Sequence, residues 1–366
     1  MTHPAWIEID LTQFRKNISV IRSQIGKSLF CLPVKANAYG HGLCRIGLAA
    51  VEAGVDYLAV AHSQEGVKLR LAGVKIPILV LGAIHEDQIP DLIEFNLEIS
   101  LSSKFKAELV AAKSKEMGRK CKVHLEVDTG MQRTGVRAAT AKVLFPYLKT
   151  LDALEVIGIY SHLATADQPQ NSFALQQIEV FSSLMKELQG ESFIAHLANS
   201  GGMIHFPEAH FDMVRPSLAA FGYLPAHSPE AYQGIAPCLS LKAKVAYFKV
   251  VNEGAGISYG HSYVTPRQTR IVTIPVGYGD GFRRALSNRG SVLIRGKRFP
   301  IRGTICMDQF MVDVGDQEVY VGDEVVLIGK QGSEEIRLQD IALLCDTIPY
   351  EILCQLNDRI PRVYLS

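Results

Sequence analysis

Residues 32–42 are Leu-Pro-Val-Lys-Ala-Asn-Ala-Tyr-Gly-His-Gly, and this stretch has the form of a strand that ends in a turn. The apolar run 30–34 predicts a buried strand, and glycines punctuate the turn after it. A helical pattern then runs over Leu43–Glu52. Lys35 lies at the carboxyl end of the predicted strand. Two interpretations are open for it: a lysine that reaches out to solvent, and a lysine that forms a Schiff base with an aldehyde cofactor.

Strand-like and helix-like segments alternate eight times from residue 30 to about residue 217. Several of the strands are continuous apolar runs, as in a sheet that is buried on both faces. Eight such units predict a closed α/β barrel of the (β/α)8, TIM-like type. A doubly wound open sheet is the alternative, but it normally has fewer strands and a glycine-rich dinucleotide loop that this sequence lacks. The predicted strands are Phe30–Lys35, Tyr57–Ala61, Pro77–Gly82, Leu97–Leu101, Lys122–Asp128, Leu154–Ser161, Phe193–Ala198 and Phe211–Arg215.

The pattern changes near Ala236, after which short strand patterns are separated by Gly, Pro and Asp turns. We therefore predict a barrel domain at 1–236 and a C-terminal, mainly β domain at 237–366. The segment Trp6–Asp10 alternates like an additional strand, and it could pack on either domain. The strand patterns of the second domain include Leu239–Val251, Thr269–Val276, Ser291–Ile294 and Met311–Val314.

Composition excludes several classes of partner. The 366 residues carry 38 basic and 37 acidic side chains, a net charge of +1, so we expect neither nucleic acid nor an anionic membrane as a partner. The apolar runs are far shorter than the ~20 residues that cross a bilayer, and residues 1–6 lack the features of a signal peptide. The seven cysteines are widely spaced without a C-x-x-C motif. This pattern favours reduced thiols in the cytoplasm over a disulfide framework or a zinc site.

Polar side chains gather where the predicted strands end, which is where active sites of (β/α)8 enzymes lie. Taken singly, each has an ordinary structural alternative, such as a satisfied core histidine, a structural ion pair or a helix N-cap serine. Their common position predicts one site with a reactive lysine, an arginine and a histidine, but without metal-ligand spacing. The candidates are Lys35, Tyr39, Glu126, Asp128, Arg133, His162, His196, Asn199, Ser200, Arg215 and Ser217.

The turns after the seventh and eighth strands, 199–202 and 216–218, are where this fold commonly binds phosphate. A phosphate-bearing aldehyde, pyridoxal 5′-phosphate (PLP), matches a site with a phosphate cradle and a reactive lysine. Lys35 would form the Schiff base, a role that requires a lysine and not an arginine.

Together the motifs of this chain resemble those of the alanine racemase family, and the resemblance spans nearly the whole sequence. It implies a barrel with a β domain, PLP as the cofactor and a homodimer whose site is shared between subunits. It also implies the interconversion of L-alanine and D-alanine, which supplies D-alanine for the peptidoglycan of the cell wall. The segments that match, in family order, are 34–42, 128–131 with Arg133, 258–260, 277–281, 306–308 and 349–351.

The resemblance further implies individual roles at the reacting centre. Lys35 would carry the cofactor and act as one acid/base, and Tyr259 of the partner subunit would be the other. Two opposed bases suit a reaction that removes a proton from one face and returns it to the other. Arg215 would face the pyridine nitrogen of the cofactor, and His162 would bridge Arg215 to Tyr259.

The remaining implied contacts concern the phosphate and the substrate. Arg133 and Met307 would lie around the substrate carboxylate, with Tyr278 near the entrance. The implied phosphate ligands are Tyr39, Ser200, Tyr350 and the backbones of Ser217 and Leu218.

Glu126 departs from the family pattern. Many alanine racemases have a lysine here, often modified by CO₂ to a carbamate that orients the arginine corresponding to Arg133. We expect the Glu126 carboxylate to anchor Arg133 through a charge-assisted pair. The alternative is that Glu126 pairs with Lys122 or His124. Two smaller departures, at positions where the family frequently has glycine, are Ser217 and Gln132.

Three other activities are weighed against alanine racemisation. A PLP-dependent racemase of another small amino acid, such as serine, stays open because the side-chain pocket is not legible from the sequence. A fold-related decarboxylase of basic amino acids typically places a carboxylate near the pyridine nitrogen, and Arg215 argues against it. A non-catalytic cofactor-binding barrel would not need the second domain.

Overall fold

The computed structural model describes residues 3–366. Contacts within the chain divide it into two compact units. The barrel unit comprises Phe14–Ala38 and Gly42–Ala236. The β unit comprises the chain up to Gln13, together with Tyr39–His41 and Pro237–Ser366. A domain boundary after residue 236 stays our proposal, and this division supports it.

The chain begins with β1 (Ala5–Asp10) and α1 (Leu11–Gln24). Parallel strands follow in the barrel unit, and β7 is a short extension beside β6. They are β2 (Leu29–Pro33), β3 (Tyr57–Val60), β4 (Ile78–Val80), β5 (Glu98–Leu101), β6 (Cys121–Asp128), β7 (Val136–Arg137), β8 (Leu154–Tyr160), β9 (Ile194–His196) and β10 (Met213–Val214).

The strands of the barrel pair in the order β10-β2-β3-β4-β5-β6-β8-β9. Two backbone hydrogen bonds join the ends of this row. The Asp212 N–H donates to the Ala195 carbonyl at 3.0 Å, and the Arg215 N–H donates to the Ala198 carbonyl at 2.8 Å. The sheet therefore closes on itself, as a barrel requires.

This architecture confirms the predicted barrel, and each of the eight predicted strands is present. β3 and β5 are buried along their whole lengths, because helices cover one face and the barrel interior the other. Several strands are shorter than predicted: the third ends at Val80 and not at Gly82, the seventh at His196 and not at Ala198, and the eighth is only Met213–Val214. The first strand ends at Pro33 and not at Lys35. Lys35 therefore stands just beyond the strand, on the turn.

Helices alternate with these strands. In α3 the buried residues Leu43, Ile46, Ala49 and Ala50 are spaced three or four positions apart along the helix, apart from the adjacent pair 49–50. This spacing gives the helix an apolar face that packs on the barrel. Its bounds are those predicted from the sequence. The helices of the unit are α2 (Lys35–Tyr39), α3 (Leu43–Glu52), α4 (Ser63–Leu71), α5 (Ile89–Glu94), α6 (Lys104–Glu116), α7 (Ala138–Lys149), α8 (Phe173–Glu187) and α9 (Ser200–His205).

The β unit is mainly antiparallel sheet with two short helices, α10 (Leu338–Leu344) and α11 (Pro349–Gln355). β1 lies inside its large sheet, antiparallel to β11 and parallel to β21, so the strand predicted at Trp6–Asp10 packs here. The strands are β11 (Leu239–Lys244), β12 (Tyr247–Val251), β13 (Gly256–Ile257), β14 (Tyr263–Val264), β15 (Thr269–Ile274), β16 (Ser291–Ile294), β17 (Lys297–Arg302), β18 (Phe310–Gly315), β19 (Glu324–Gln331), β20 (Glu334–Ile336) and β21 (Arg362–Leu365).

Across residues 3–366, no helix combines the length and the apolar character that a membrane span would need.

Candidate active site

Lys35 begins a turn of left-handed backbone directly after β2. The next three residues, Ala36–Ala38, have φ values of 52°, 55° and 53°, a region that costs a non-glycine residue roughly 1–2 kcal/mol. Glu65 braces the turn, because its Oε1 accepts a hydrogen bond from the Ala36 N–H at 2.7 Å and its Oε2 accepts one from the Ala61 N–H at 2.8 Å. One carboxylate thus ties the turn that carries Lys35 to the neighbouring end of β3.

Arg215 follows β10 and is 3% exposed, yet no carboxylate of residues 3–366 lies within ion-pair distance of it. Its Nη1 donates to His196 Nδ1 at 2.7 Å, and its Nη2 donates to the carbonyls of Ser161 and Leu197 at 2.6 and 3.1 Å. Burial lowers the pKa of Arg215, but a guanidinium keeps its proton in proteins. Within the described chain its Nε–H has no hydrogen-bond partner, and this donor is available to a ligand.

His162 follows β8 in a strongly cationic environment. Burial, together with the charges of Arg215, Arg133 and Lys35, lowers the pKa of His162 to about 3. The ring is therefore neutral at neutral pH and has one nitrogen that can accept a hydrogen bond. Its side chain makes no hydrogen bond to residues 3–366, so the bridge from Arg215 to Tyr259 stays a proposal.

Two serines meet at the ends of β9 and β10. Ser200 Oγ accepts a hydrogen bond from the Ser217 N–H at 2.8 Å and lies 3.2 Å from Ser217 Oγ. The Leu218 N–H has no partner among residues 3–366. Asn199 caps α9 through its Oδ1, which accepts from the Gly202 N–H at 3.0 Å, so the Ser200 hydroxyl is not used as a helix cap. Neutral hydroxyls and an open backbone N–H are donors that suit a phosphate group.

Glu126 is buried near the end of β6, and its Oε1 accepts a hydrogen bond from Thr134 Oγ1 at 2.6 Å. Burial raises the pKa of Glu126, although the Thr134 hydroxyl opposes the shift. The direct pair with Arg133 that we expected is not formed, and Arg133 is exposed. The alternative pairs with Lys122 and His124 are also absent from the described chain. Glu126 therefore holds the residue next to Arg133 and not the guanidinium itself.

The loop that carries Arg133 begins at Asp128. The Oδ1 of Asp128 accepts hydrogen bonds from the Gly130 and Gln132 N–H groups at 2.8 and 3.1 Å. Gln132 has a φ of 56°, which is in the left-handed region that favours glycine. A glycine at this position would relieve that strain, which gives a physical reason for the glycine that the family frequently has here.

Tyr259 and Met307 line one open depression of about 710 Å³ on the β unit. Their side chains are 73% and 52% exposed. The backbone around Tyr259 is held firmly, because Ser258 Oγ donates to the Thr304 carbonyl at 2.6 Å and Thr304 Oγ1 donates to the Tyr259 carbonyl at 3.0 Å. The phenol group is thus presented outward from a fixed backbone.

The other two candidates on the β unit are also placed by specific contacts. The loop of Tyr278 is tied to that of Met307, since the Gly279 N–H donates to the Met307 carbonyl at 2.8 Å. Tyr350, on α11, packs edge to face against Tyr39, with ring centroids 5.8 Å apart. Tyr39 and Tyr350 therefore come together, as a shared phosphate role requires.

Sequence reasoning missed two acidic residues: Glu65, which braces the turn of Lys35, and Glu98, which lies at the start of β5 inside the barrel. Glu98 is 3% exposed and binds His124. Its position inside the predicted strand Leu97–Leu101 was the available signal, because a charged residue is almost never fully buried unless it is paired. Glu65 gave no such signal, since it lies in an ordinary polar helix start.

Family models and individual relatives of this chain all carry the same description, alanine racemase. The family model for the alanine racemase N-terminal domain matches residues 9–225, and that for the alanine racemase C-terminal domain matches residues 238–364. The alanine racemase of Symbiobacterium thermophilum is 45% identical over 99% of this chain and 97% of its own length.

Solved structures agree with these matches. An alanine racemase of Clostridium difficile 630 superposes with a TM-score of 0.95 at 34% identity, covering 100% of this chain and 96% of that one. The alanine racemase of Bartonella henselae, described with covalently bound pyridoxal phosphate, has a TM-score of 0.90 at 28% identity and covers 99% of each chain.

Proposed function

This chain belongs to the alanine racemase family, and we propose that it interconverts L-alanine and D-alanine with PLP as its cofactor. The resemblance and the cofactor inferred from the sequence motifs are confirmed by the family matches and the related structures. The decarboxylase alternative is not favoured, because the relatives found are alanine racemases.

The observation that carries this proposal is that Lys35 and Arg215 follow neighbouring strands at the same rim of the barrel. β2 and β10 are neighbouring parallel strands, with Leu29 opposite Met213. The lysine follows β2 and the arginine follows β10, so both side chains start from the same edge of the sheet. An arginine where a decarboxylase would have a carboxylate favours racemisation.

The residues of the barrel mouth fit PLP. The Lys35 amine suits the aldehyde, the open Nε–H of Arg215 suits the pyridine nitrogen, and Ser200, Ser217 and Leu218 suit the phosphate. When bound, PLP accepts the electron pair that is released as the α-carbon loses its proton. Because Arg215 keeps its proton, it would leave the pyridine nitrogen of bound PLP largely unprotonated. An unprotonated ring nitrogen would restrain full delocalisation of the electron pair and disfavour transamination.

Protons move through two side chains in this proposal. Lys35 Nζ takes or returns the α-proton on one face of the substrate, and Tyr259 Oη does so on the other. Arg133 attracts the substrate carboxylate, with Met307 beside it and Tyr278 near the entrance. The neutral ring of His162 accepts or donates a hydrogen bond without adding charge.

We propose that Tyr259 acts in the site of a second copy of this chain. Its 73% exposure, on a backbone fixed by Thr304, supports this arrangement. An aromatic side chain so exposed beside Met307 is a typical feature of a surface that a partner covers. A homodimer, a cytoplasmic location and a supply of D-alanine for peptidoglycan complete the proposal.

The direct test is racemisation by the purified protein loaded with PLP. We expect reactions started from L-alanine and from D-alanine to reach the same equimolar mixture without release of CO₂. Polarimetry or chiral chromatography measures the approach to this mixture. L-serine is included as a second substrate. Loss of CO₂, or no change in alanine while PLP stays bound, would contradict the proposed activity.

Activity is expected to be independent of added bicarbonate, because Glu126 has no amine that CO₂ could modify. The matched variant is Glu126→Lys, which restores an amine at this position. We expect this variant to be less active in CO₂-free buffer and to recover as bicarbonate is added, since a carbamate would then carry the missing negative charge. A bicarbonate requirement in the unaltered chain would count against the role assigned to Glu126.

A further inference from the structure

A chain of hydrogen bonds crosses the barrel interior from Arg215 to Glu98. Arg215 Nη1 lies 2.7 Å from His196 Nδ1, and His196 Nε2 lies 3.0 Å from His124 Nδ1. His124 Nε2 lies 3.0 Å from Glu98 Oε2. All four side chains are at most 3% exposed. The four residues lie on or directly after four different strands, β5, β6, β9 and β10, so the chain ties together distant parts of the barrel.

Donor and acceptor chemistry allows only one direction for this series of hydrogen bonds, from Arg215 to Glu98. Arg215 can only donate, so His196 Nδ1 must accept, and the proton of a neutral His196 is on Nε2. His196 Nε2 then donates to His124 Nδ1, which places the His124 proton on Nε2, facing the Glu98 carboxylate. If Glu98 held a proton and donated it to His124 Nε2, the His124 proton would be on Nδ1 and would be donated to His196 Nε2. The proton of a neutral His196 would then be on Nδ1. That proton would face the Arg215 N–H, so the reverse arrangement is excluded for neutral rings.

The hydrogen-bond chain links the buried Arg215 guanidinium, which has no acidic side chain within ion-pair distance among residues 3–366, to an acidic residue, and the Glu126 carboxyl also acts on the Arg215 charge. The other bonds of Arg215 go to backbone carbonyls, whereas a buried charge normally requires compensation. Burial and the nearby Arg215 charge lower the pKa of His196 well below its usual range, so its ring stays neutral. The acidic residue that these hydrogen bonds reach is Glu98, two imidazole rings away from Arg215.

Packing holds the chain in this geometry. The His196 ring stacks on Tyr160 with centroids 4.9 Å apart, and Arg215 Cζ lies 5.2 Å from the centre of the same ring. Gly158 leaves the space that His124 occupies, since a Cβ at this position would lie 2.0 Å from His124 Nδ1. The contacts of these residues thus select one rotamer for each imidazole.

We propose that Glu98, His124 and His196 are positioning residues that fix Arg215 with its Nε–H free to meet the pyridine nitrogen of the cofactor. They touch neither the substrate nor the cofactor, and they act only through the guanidinium. This inference rests on the proposed function for its consequence in catalysis. Its structural part, the ordered direction of the hydrogen bonds, is independent of the reaction.

The first test is the protonation state of the two histidines in the PLP-loaded wild type, measured by ¹⁵N NMR with labelled histidine. Assignment uses the single variants His124→Gln and His196→Gln. We expect both rings to be protonated on Nε2 and unprotonated on Nδ1, as the donor and acceptor order requires. A ring protonated on Nδ1 would overturn the proposal, whether or not the protein racemises alanine.

The second test compares Glu98→Gln, His124→Gln and the double variant. A glutamine at 98 can still accept a hydrogen bond but removes the charge. We expect each single variant to lower kcat about 10- to 100-fold, by analogy with the outer partners of metal ligands, and to move the absorption band of bound PLP. KM for alanine should change much less than kcat. Because the residues act as one chain, the double variant should be about as impaired as the worse single variant.

The control is Cys121→Ala, which alters a buried side chain at the start of β6 whose thiol hydrogen bond goes to the Lys122 carbonyl and not to any of the four residues. It should leave kcat and the PLP band unchanged. Folded Glu98→Gln protein with wild-type kcat and PLP band would overturn the proposal, as would additive losses in the double variant. If Glu98→Gln does not fold, the wild-type NMR result alone decides. If alanine is not racemised, the absorption band of bound PLP and the dissociation constant of PLP still show whether the hydrogen bonds position Arg215.

Discussion

Replacement of Lys35 by alanine is expected to lower racemisation by at least about 10⁴-fold, the largest effect of any single substitution in this chain. The residue has two roles in the proposed mechanism. It binds the cofactor aldehyde, and it moves the α-proton on one face of the substrate. Alanine removes both, whereas the stability of the barrel should change little, because Lys35 lies on a turn beyond β2 and is not part of the buried strand.

The measurement combines activity with trapping of the cofactor. Borohydride reduction should fix PLP covalently to the wild type at Lys35, as mapped by peptide mass, and should leave Lys35→Ala unlabelled. The matched control is Lys35→Arg, which retains a positive charge but lacks an amine that can react with an aldehyde. We expect it to be as inactive as the alanine variant. Substantial activity in either variant would remove Lys35 from the reaction.

Replacement of Tyr259 by phenylalanine is the second largest expected effect, a loss of about 10²- to 10⁴-fold. Only the hydroxyl oxygen is removed, so cofactor binding and the dimer should persist. In deuterated water, Lys35 should still exchange the α-proton of one enantiomer without inverting it. The matched control is Tyr247→Phe, which makes the same change at a tyrosine of β12 that is 58% exposed. This control should keep full activity.

A mixing experiment tests whether Tyr259 acts across the dimer. Lys35→Ala and Tyr259→Phe are each expected to be inactive alone. If each site combines Lys35 of one copy with Tyr259 of the other, half of the dimers in an equilibrated equal mixture are hybrids with one intact site. The mixture should then recover about a quarter of wild-type activity. No recovery despite proven subunit exchange would place both residues in the same copy.

The residues around Arg133 could be predicted from the sequence only in part. The sequence shows that Glu126 stands where the family often has a lysine, but it does not show that Thr134 is the hydrogen-bond partner of Glu126. Glu126 bonds Thr134 because the loop from Asp128 folds back over the end of β6 and brings that hydroxyl within 2.6 Å. Which side chain of a loop turns toward a buried acid depends on the loop backbone, and a strained position such as Gln132 is not visible in a residue pattern.

The sequence by itself determined the barrel, and it predicted the edge of the barrel at which the candidate site residues lie. Apolar runs of strand length and helical spacing report local backbone structure, and parallel strands must place their carboxyl ends together. The sequence predicted Lys35 as the last residue of the first strand and Arg215 as the last residue of the eighth, and the structure places both just beyond shorter strands. The family motifs then pointed to Tyr259, whose role stays a prediction and which no local pattern would have suggested.

Only the tertiary structure decided which buried hydrogen bonds hold Arg215. Glu98 and His124 are 26 residues apart, His124 and His196 are 72 apart, and His196 and Arg215 are 19 apart. Their hydrogen bonds exist because barrel closure brings β5, β6, β9 and β10 around one interior and because Gly158 leaves room for an imidazole. Strand patterns give the direction of each side chain, but the distance between two side chains on different strands depends on closure and packing.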